Sequence, residues 1–114
     1  MSDCLFCSIV QGNIDSKPAG ENDLAFAFFD IAPVAPVHIL IVPKKHIVNA
    51  FTFEPADAAI LSGMITLPQD LAQEHNLSDR GYRLVLNVGS DAGNTVDHLH
   101  MHLLGGRRLG WPPG

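Results

Sequence analysis

The chain has 114 residues, of which 46% are hydrophobic and 17% charged, and its formal net charge is −5 at pH 7. This length predicts a single domain over residues 1–114, and the acidic balance argues against binding to a nucleic-acid backbone, which requires a basic surface. No apolar run approaches the ~20 residues of a membrane span, and the N-terminus lacks the pattern of a signal peptide. We therefore expect a cytoplasmic protein with no membrane partner.

The first part of the chain predicts a short helix over residues 4–10, capped by Asp3 and ended by Gly12. The apolar stripe of this helix consists of Leu5, Phe6 and Ile9. Residues 20–23 are typical of a turn, because they combine glycine, asparagine and acidic residues.

Two strands are predicted next, over residues 24–29 and 37–42. The second is β-branched and mostly apolar, so we expect it at the centre of a sheet, closed by Pro43. A long helix should run from Glu54 to His75, with apolar residues at helical spacing.

The last part predicts a β-hairpin. Residues 82–88 alternate as a strand does, residues 89–94 form a loop, and residues 96–104 return as the partner strand. The order of elements predicts an α+β fold with an antiparallel sheet.

The strand at residues 96–104 carries three of the six histidines of the chain, at alternate positions. Successive side chains of a strand point to opposite faces, so His98, His100 and His102 should share one face. Two chemistries suit such a row. Neutral imidazole is a common zinc or copper ligand, and it is also a nucleophile and proton donor. The distance between same-face positions, roughly 6–7 Å, favours contacts along a phosphate chain over one shared ion.

The stretch His98-Leu99-His100-Met101-His102-Leu103-Leu104 resembles the His-φ-His-φ-His-φ-φ signature (φ apolar) of the histidine triad (HIT) nucleotide-binding proteins. Residues 29–46 and 104–114 are similar to the Hint branch of that family. The resemblance implies a five-stranded antiparallel meander with one long helix and a short N-terminal helix. It also implies a homodimer whose C-terminal tail lies near the partner's active site.

The resemblance implies that His100 is the nucleophile, held through its other nitrogen by a nearby backbone carbonyl. His102 would donate to a phosphate oxygen, whereas His98 and His38 would orient the site. The Thr95 hydroxyl would contact the leaving group.

The resemblance also implies a nucleotide site. Asp30 would accept both ribose hydroxyls, and Asn87 would contact the α-phosphate or the ribose. Gly93, Asn94 and Thr95 would offer backbone N–H groups as an anion cradle, although Asn94 replaces a usual Gln and is one methylene shorter. The base pocket would be lined by Leu5, Phe6, Ile9, Phe28, Ile31 and Leu40.

The pair Cys4-x-x-Cys7 leaves three interpretations open: a structural zinc site, two buried small apolar residues, or a redox pair. The resemblance implies that His46 and His98 would complete a zinc site.

The sequence thus predicts a hydrolase that cleaves the P–N bond of purine nucleoside 5′-phosphoramidates through a nucleotidyl-histidine intermediate. Catalysis would need no cofactor. A dinucleoside polyphosphate hydrolase and a nucleotide-binding interaction module remain the alternatives, and a metal-storage protein is a weaker one.

Overall fold

A computed structural model describes residues 4–114. The elements are α1 (Leu5–Val10), β1 (Pro18–Glu21), β2 (Ala25–Phe29), β3 (Val37–Pro43), α2 (Ala58–Glu74), β4 (Tyr82–Leu86) and β5 (Met101–Gly105). Short 3₁₀ turns at Ala50–Thr52, Pro55–Asp57 and Ser90–Ala92 join them. Within these residues, no helix is long and apolar enough to cross a bilayer.

The five strands form one antiparallel sheet in the order β1-β2-β3-β5-β4. The first three strands follow one another as a meander, and α2 then carries the chain to β4 at the far edge. β5 returns between β3 and β4. This places β3 and β5, the strands with histidines, side by side in the middle of the sheet.

The two faces of the sheet have different coverings. One face packs against α2, whose buried residues recur at helical spacing, and together they form the larger core. The opposite face holds a smaller apolar cluster under α1. Since β3 is covered on both faces, six of its seven residues are buried, which explains its continuous apolar sequence.

The predicted α+β fold with a five-stranded antiparallel sheet is confirmed, but the sheet is not a full meander, because β5 lies between β3 and β4. Further differences concern single elements and their bounds. The helix expected from Glu54 begins with a 3₁₀ turn, so α2 proper starts at Ala58. The turn expected at residues 20–23 includes the end of β1, which the sequence did not predict. Glycine and proline are uncommon in strands, and β1 exists through its irregular pairing with β2 at the sheet edge. Asp3, the expected cap of α1, lies outside the described residues, and Cys4 occupies the N-cap position.

The largest difference concerns the histidine strand. The prediction that residues 96–104 form one strand is wrong, because β5 begins only at Met101. The preceding residues leave the ladder, since the Leu99 N–H donates to Ile47 O (2.6 Å). His98 still lies on the α1 side of the sheet with His100 and His102, where its ring meets Phe6 at 6.1 Å between centroids, but it is not part of the ladder.

Candidate active site

One row of side chains crosses the open face of the sheet from β2 to β4. Phe28 pairs with Leu40, Leu40 with His102, and His102 with Val85. The sheet register therefore places His102 between an apolar pocket on the β2 side and a polar cleft on the β4 side.

His100 lies one residue before β5, beside His102, with 5.3 Å between ring centroids. Its Nδ1 is 2.8 Å from the backbone O of His98. A carbonyl can only accept, so Nδ1 carries the proton and Nε2 keeps its lone pair. In its neutral form, His100 therefore has a fixed tautomer, which leaves the Nε2 lone pair that a nucleophile at phosphorus requires.

His102 belongs to a chain of hydrogen bonds that fixes two further tautomers. The Val34 N–H donates to His38 Nδ1 (3.1 Å), so the proton of His38 is on Nε2. His38 Nε2 lies 2.9 Å from His102 Nδ1, which therefore accepts. His102 consequently presents an Nε2–H donor. Burial lowers the pKa of both rings below the ordinary 6.5, which keeps them neutral at pH 7.

Asp30 follows β2 and lies at the His38 end of this chain. Its Oδ1 accepts from the Ala32 N–H (2.8 Å), and its Oδ2 is 3.3 Å from His38 Nε2. Each carboxylate oxygen can accept a second hydrogen bond, so these contacts leave Asp30 able to bind hydroxyl groups.

The apolar pocket is built around Phe6 of α1. Its ring meets Phe28 edge-on at 5.5 Å and His100 at 5.1 Å, measured between centroids. The buried members of this cluster are Phe6, Ile9, Phe28, Leu40 and Val42. Two residues that were expected to line this pocket are not buried in it. Leu5 is 47% exposed, and Ile31, in the β2–β3 connection, is fully exposed.

The loop before the histidines does not offer the expected anion cradle. The Gly93 N–H donates to Ser90 O (3.0 Å), and the Asn94 N–H donates to Gly89 O (3.1 Å). The Asn94 side chain caps the next turn by accepting from the Val96 N–H (3.4 Å). Two of the three amides are thus engaged by the 3₁₀ turn, and Thr95 is exposed beside it.

A cleft of about 590 Å³ opens beyond His102 on the β4 side. It is lined by Val34, His38, Arg83, Val85, Asn87, Asp91, Ala92, His102, Leu104, Pro113 and Gly114. Sequence reasoning placed Asn87 here but missed Val34, Arg83 and Val85. The two β4 residues could have been found from the alternation of that strand, once its pairing with β5 was assumed. Val34 contributes its backbone N–H, and this role could not be predicted from its apolar side chain.

The C-terminal tail is held against this cleft. Arg83 Nη2 donates to Gly110 O (2.7 Å), and Pro113 and Gly114 line the cleft of their own chain. The Trp111 ring projects outward and is 82% exposed.

A second cluster joins α1 to the segment before β5. The donor atoms of Cys4, Cys7, His46 and His98 all lie within 4.8 Å of one another. His98 Nδ1 is 3.2 Å from Cys4 Sγ and 3.3 Å from Cys7 Sγ, and His46 Nδ1 is 3.2 Å from Cys7 Sγ. Two sulfurs and two imidazole nitrogens form a donor set that suits zinc.

The tautomer of His98 fits a metal ligand. Its Nε2 is 3.0 Å from Pro43 O, which can only accept, so Nδ1 presents a lone pair to the two sulfurs. Burial lowers the pKa of His98, which keeps this ring neutral. Asp30, His38 and His102 also lie close together. There, however, the Val34 N–H leaves the proton on His38 Nε2, the atom that would have to bind the ion.

Comparisons with known proteins point to one family. The profile of the HIT domain matches residues 11–109. An uncharacterized HIT-like protein of Synechococcus elongatus is 44% identical over 112 residues, covering 98% of this chain and 97% of its own. The crystal structure of a HIT family hydrolase from Legionella pneumophila is 47% identical with a TM-score of 0.95, covering 98% of this chain and all of the other.

A histidine triad nucleotide-binding protein from Candida albicans is more distant, at 31% identity and a TM-score of 0.82 over 96% of this chain and 83% of the other. The two relatives above 40% identity match end to end, and the domain profile spans most of the sequence. This chain belongs to the histidine triad (HIT) family.

Proposed function

We propose that this protein is a hydrolase of the Hint branch that cleaves the P–N bond of purine nucleoside 5′-phosphoramidates. The observation that carries the proposal is the hydrogen bond between His100 Nδ1 and His98 O, because in the neutral ring it leaves the Nε2 lone pair available for attack beside His102. The similarity to a HIT family hydrolase and to a nucleotide-binding relative supports the same reaction class.

The reaction would proceed in two displacements. The Nε2 lone pair of His100 attacks the α-phosphorus, the P–N bond breaks, and the amine leaves with the bonding electrons and takes up a proton from the solvent. Water then attacks the nucleotidyl-histidine and returns a proton to the solvent, releasing a nucleoside monophosphate and neutral His100. The Nε2–H of His102 donates to a non-bridging phosphate oxygen as charge develops there.

Nucleotide binding is assigned to the groups around this row. The purine would lie in the apolar pocket of Phe6, Ile9, Phe28 and Leu40, and the ribose hydroxyls would bind Asp30. The cleft that contains Arg83 would take the leaving group, which the Thr95 hydroxyl would contact. Asn87 would contact the α-phosphate or the ribose. Catalysis would need no cofactor, and we expect the enzyme to work in the cytoplasm.

The test is turnover of adenosine 5′-phosphoramidate compared with a diadenosine polyphosphate. Faster hydrolysis of the phosphoramidate, lost in His100→Asn and kept in the distant control His75→Asn, would support the proposal. Preference for the polyphosphate would favour a dinucleoside polyphosphate hydrolase. Nucleotide binding with no turnover of either compound would indicate a binding module.

We also propose that Cys4, Cys7, His46 and His98 hold a structural zinc ion. Four protein ligands complete a tetrahedral site and leave no open position, so the ion would stabilise the fold and would not meet substrate. Protein purified without chelator should contain about one zinc per chain, and Cys4→Ser should remove it and lower the melting temperature. Elemental analysis that finds no metal in untreated protein would contradict this.

We further propose a homodimer with the tail at the subunit interface. The large exposed ring of Trp111 and the position of β4 at the edge of the sheet support a partner on this side. Sedimentation velocity would contradict the proposal if it showed only monomer at micromolar concentration.

A further inference from the structure

His100, the proposed nucleophile, lies outside the hydrogen-bonded part of the sheet. The β5 ladder begins at Met101, which pairs with Ile41 on one side and Leu86 on the other. His100 therefore precedes the first ladder residue. Its orientation depends on the carbonyl of His98, which lies two residues earlier in the sequence and is also outside the ladder.

Three contacts fix this non-ladder segment to the last residue of β3 and to the chain that follows it. His98 Nε2 donates to Pro43 O (3.0 Å), and the Leu99 N–H donates to Ile47 O (2.6 Å). The third is the approach of His98 Nδ1 to His46 Nδ1 (3.2 Å) within the cysteine–histidine cluster. From the other side, Cys4 and Cys7 at the start of α1 contact the same ring.

His98 thus connects two sites through different atoms. Its ring nitrogen Nδ1 belongs to the cluster, and its backbone oxygen belongs to His100. The residue is fully buried in close-packed surroundings, so we expect a displacement of the ring to shift the backbone carbonyl as well. Phe6 packs against both rings, at 6.1 Å from His98 and 5.1 Å from His100 between centroids.

We infer that Cys4, Cys7 and His46 are positioning residues for the hydrolase reaction, acting through His98 on the tautomer and direction of the nucleophile. The inference rests on the proposed function and on the proposed metal. With a metal ion bound by the four side chains, the His98 carbonyl is locked in place. Without the ion, only the weaker contacts of Cys4, Cys7 and His46 hold Nδ1 of the His98 ring, so the carbonyl that orders His100 can shift more easily.

The experiment compares His46→Gln with wild type, because His46 is exposed and its replacement should leave the chain folded. Cys4→Ser is the second variant. Leu71→Ala is the matched control, since it removes a buried side chain from the opposite face of the sheet and lowers stability without touching the cluster. Metal content, kcat, KM and the ¹⁵N spectrum of the histidine side chains are measured for each protein.

We expect both cluster variants to lose metal and to lose roughly tenfold to a hundredfold in kcat, the effect of a small misplacement of a reacting group. The KM should change little, because the nucleotide contacts remain. The His100 resonances should show a mixture of tautomers in these variants and a single Nδ1–H form in wild type and in Leu71→Ala.

Unchanged kcat and an unchanged His100 tautomer in a metal-free cluster variant would overturn the inference, and so would wild-type protein that binds no metal. If wild type binds metal but turns over no phosphoramidate, the proposed function fails by itself. The tautomer measurement then still decides whether the cluster orders His100.

Discussion

The hydrogen-bond chain from Val34 through His38 to His102 predicts that His38 acts on the reaction without touching phosphorus. In His38→Leu, the Nδ1 of His102 loses its donor, and the ring can place its proton on either nitrogen. The form that carries the proton on Nδ1 has no Nε2–H for the phosphate oxygen, so part of the transition-state stabilisation is lost.

The size of the loss in kcat follows from the one hydrogen bond to phosphate that is weakened. A hydrogen bond to a charged group contributes about 1.5–3 kcal/mol. At about 1.36 kcal/mol per factor of ten, this corresponds to roughly 10- to 150-fold in kcat. The loss should stay well below that of His100→Asn, which removes the proposed nucleophile and should lower the rate by several powers of ten.

Rapid-quench single-turnover kinetics measures the formation of the nucleotidyl-enzyme directly, and calorimetry measures nucleoside monophosphate binding. His38→Gln keeps an amide donor near the original Nε2 and should recover part of the rate, whereas His75→Asn should behave as wild type. A wild-type rate in His38→Leu, or equal losses in the Leu and Gln variants, would refute the assigned tautomers.

Three further predictions address the nucleophile, the tail and pH. In quenched wild-type turnover, peptide mapping should find the adduct on His100, and an adduct on His98 or His102 would contradict the mechanism. Truncation after Arg108 should change leaving-group preference more than nucleoside monophosphate affinity, which a substrate panel can show. The NMR titration midpoints of His38 and His102 should lie below pH 6.5, because burial lowers the pKa of both imidazoles. The unfolded chain then binds more protons than the native state below about pH 6.5, so the free energy of unfolding should fall as the pH drops through that value. A constant free energy of unfolding between pH 7 and 5 would contradict this.

Local sequence patterns predicted most of the fold because the strands and the long helix carry clear periodicity. They failed where a residue distant in the sequence determines the local structure. β1 contains proline and glycine, and only its pairing with β2 makes it a strand. The segment before β5 alternates as a strand does, yet Ile47 O takes the Leu99 N–H out of the ladder.

The candidate site divides in the same way. Histidine spacing and family resemblance identified the residue types, including the four that form the cysteine–histidine cluster. The tautomers depend on backbone groups of Pro43 and Val34, which no side-chain pattern reveals. The anion cradle was predicted from the family resemblance, but the turn at Ser90–Ala92 uses the amides of Gly93 and Asn94 itself.

The position of β5 between β3 and β4 has a consequence for the synthesis of this protein. Until residues 101–105 have left the ribosome, β3 has one unpaired edge and β4 has no neighbour in the sheet. A nascent chain in that state exposes strand edges that favour aggregation. The same late segment brings His102 next to His38 and ends the stretch that carries His100. Completion of the sheet and appearance of activity should therefore be one event, and a chain stalled before it would be both prone to aggregate and catalytically silent.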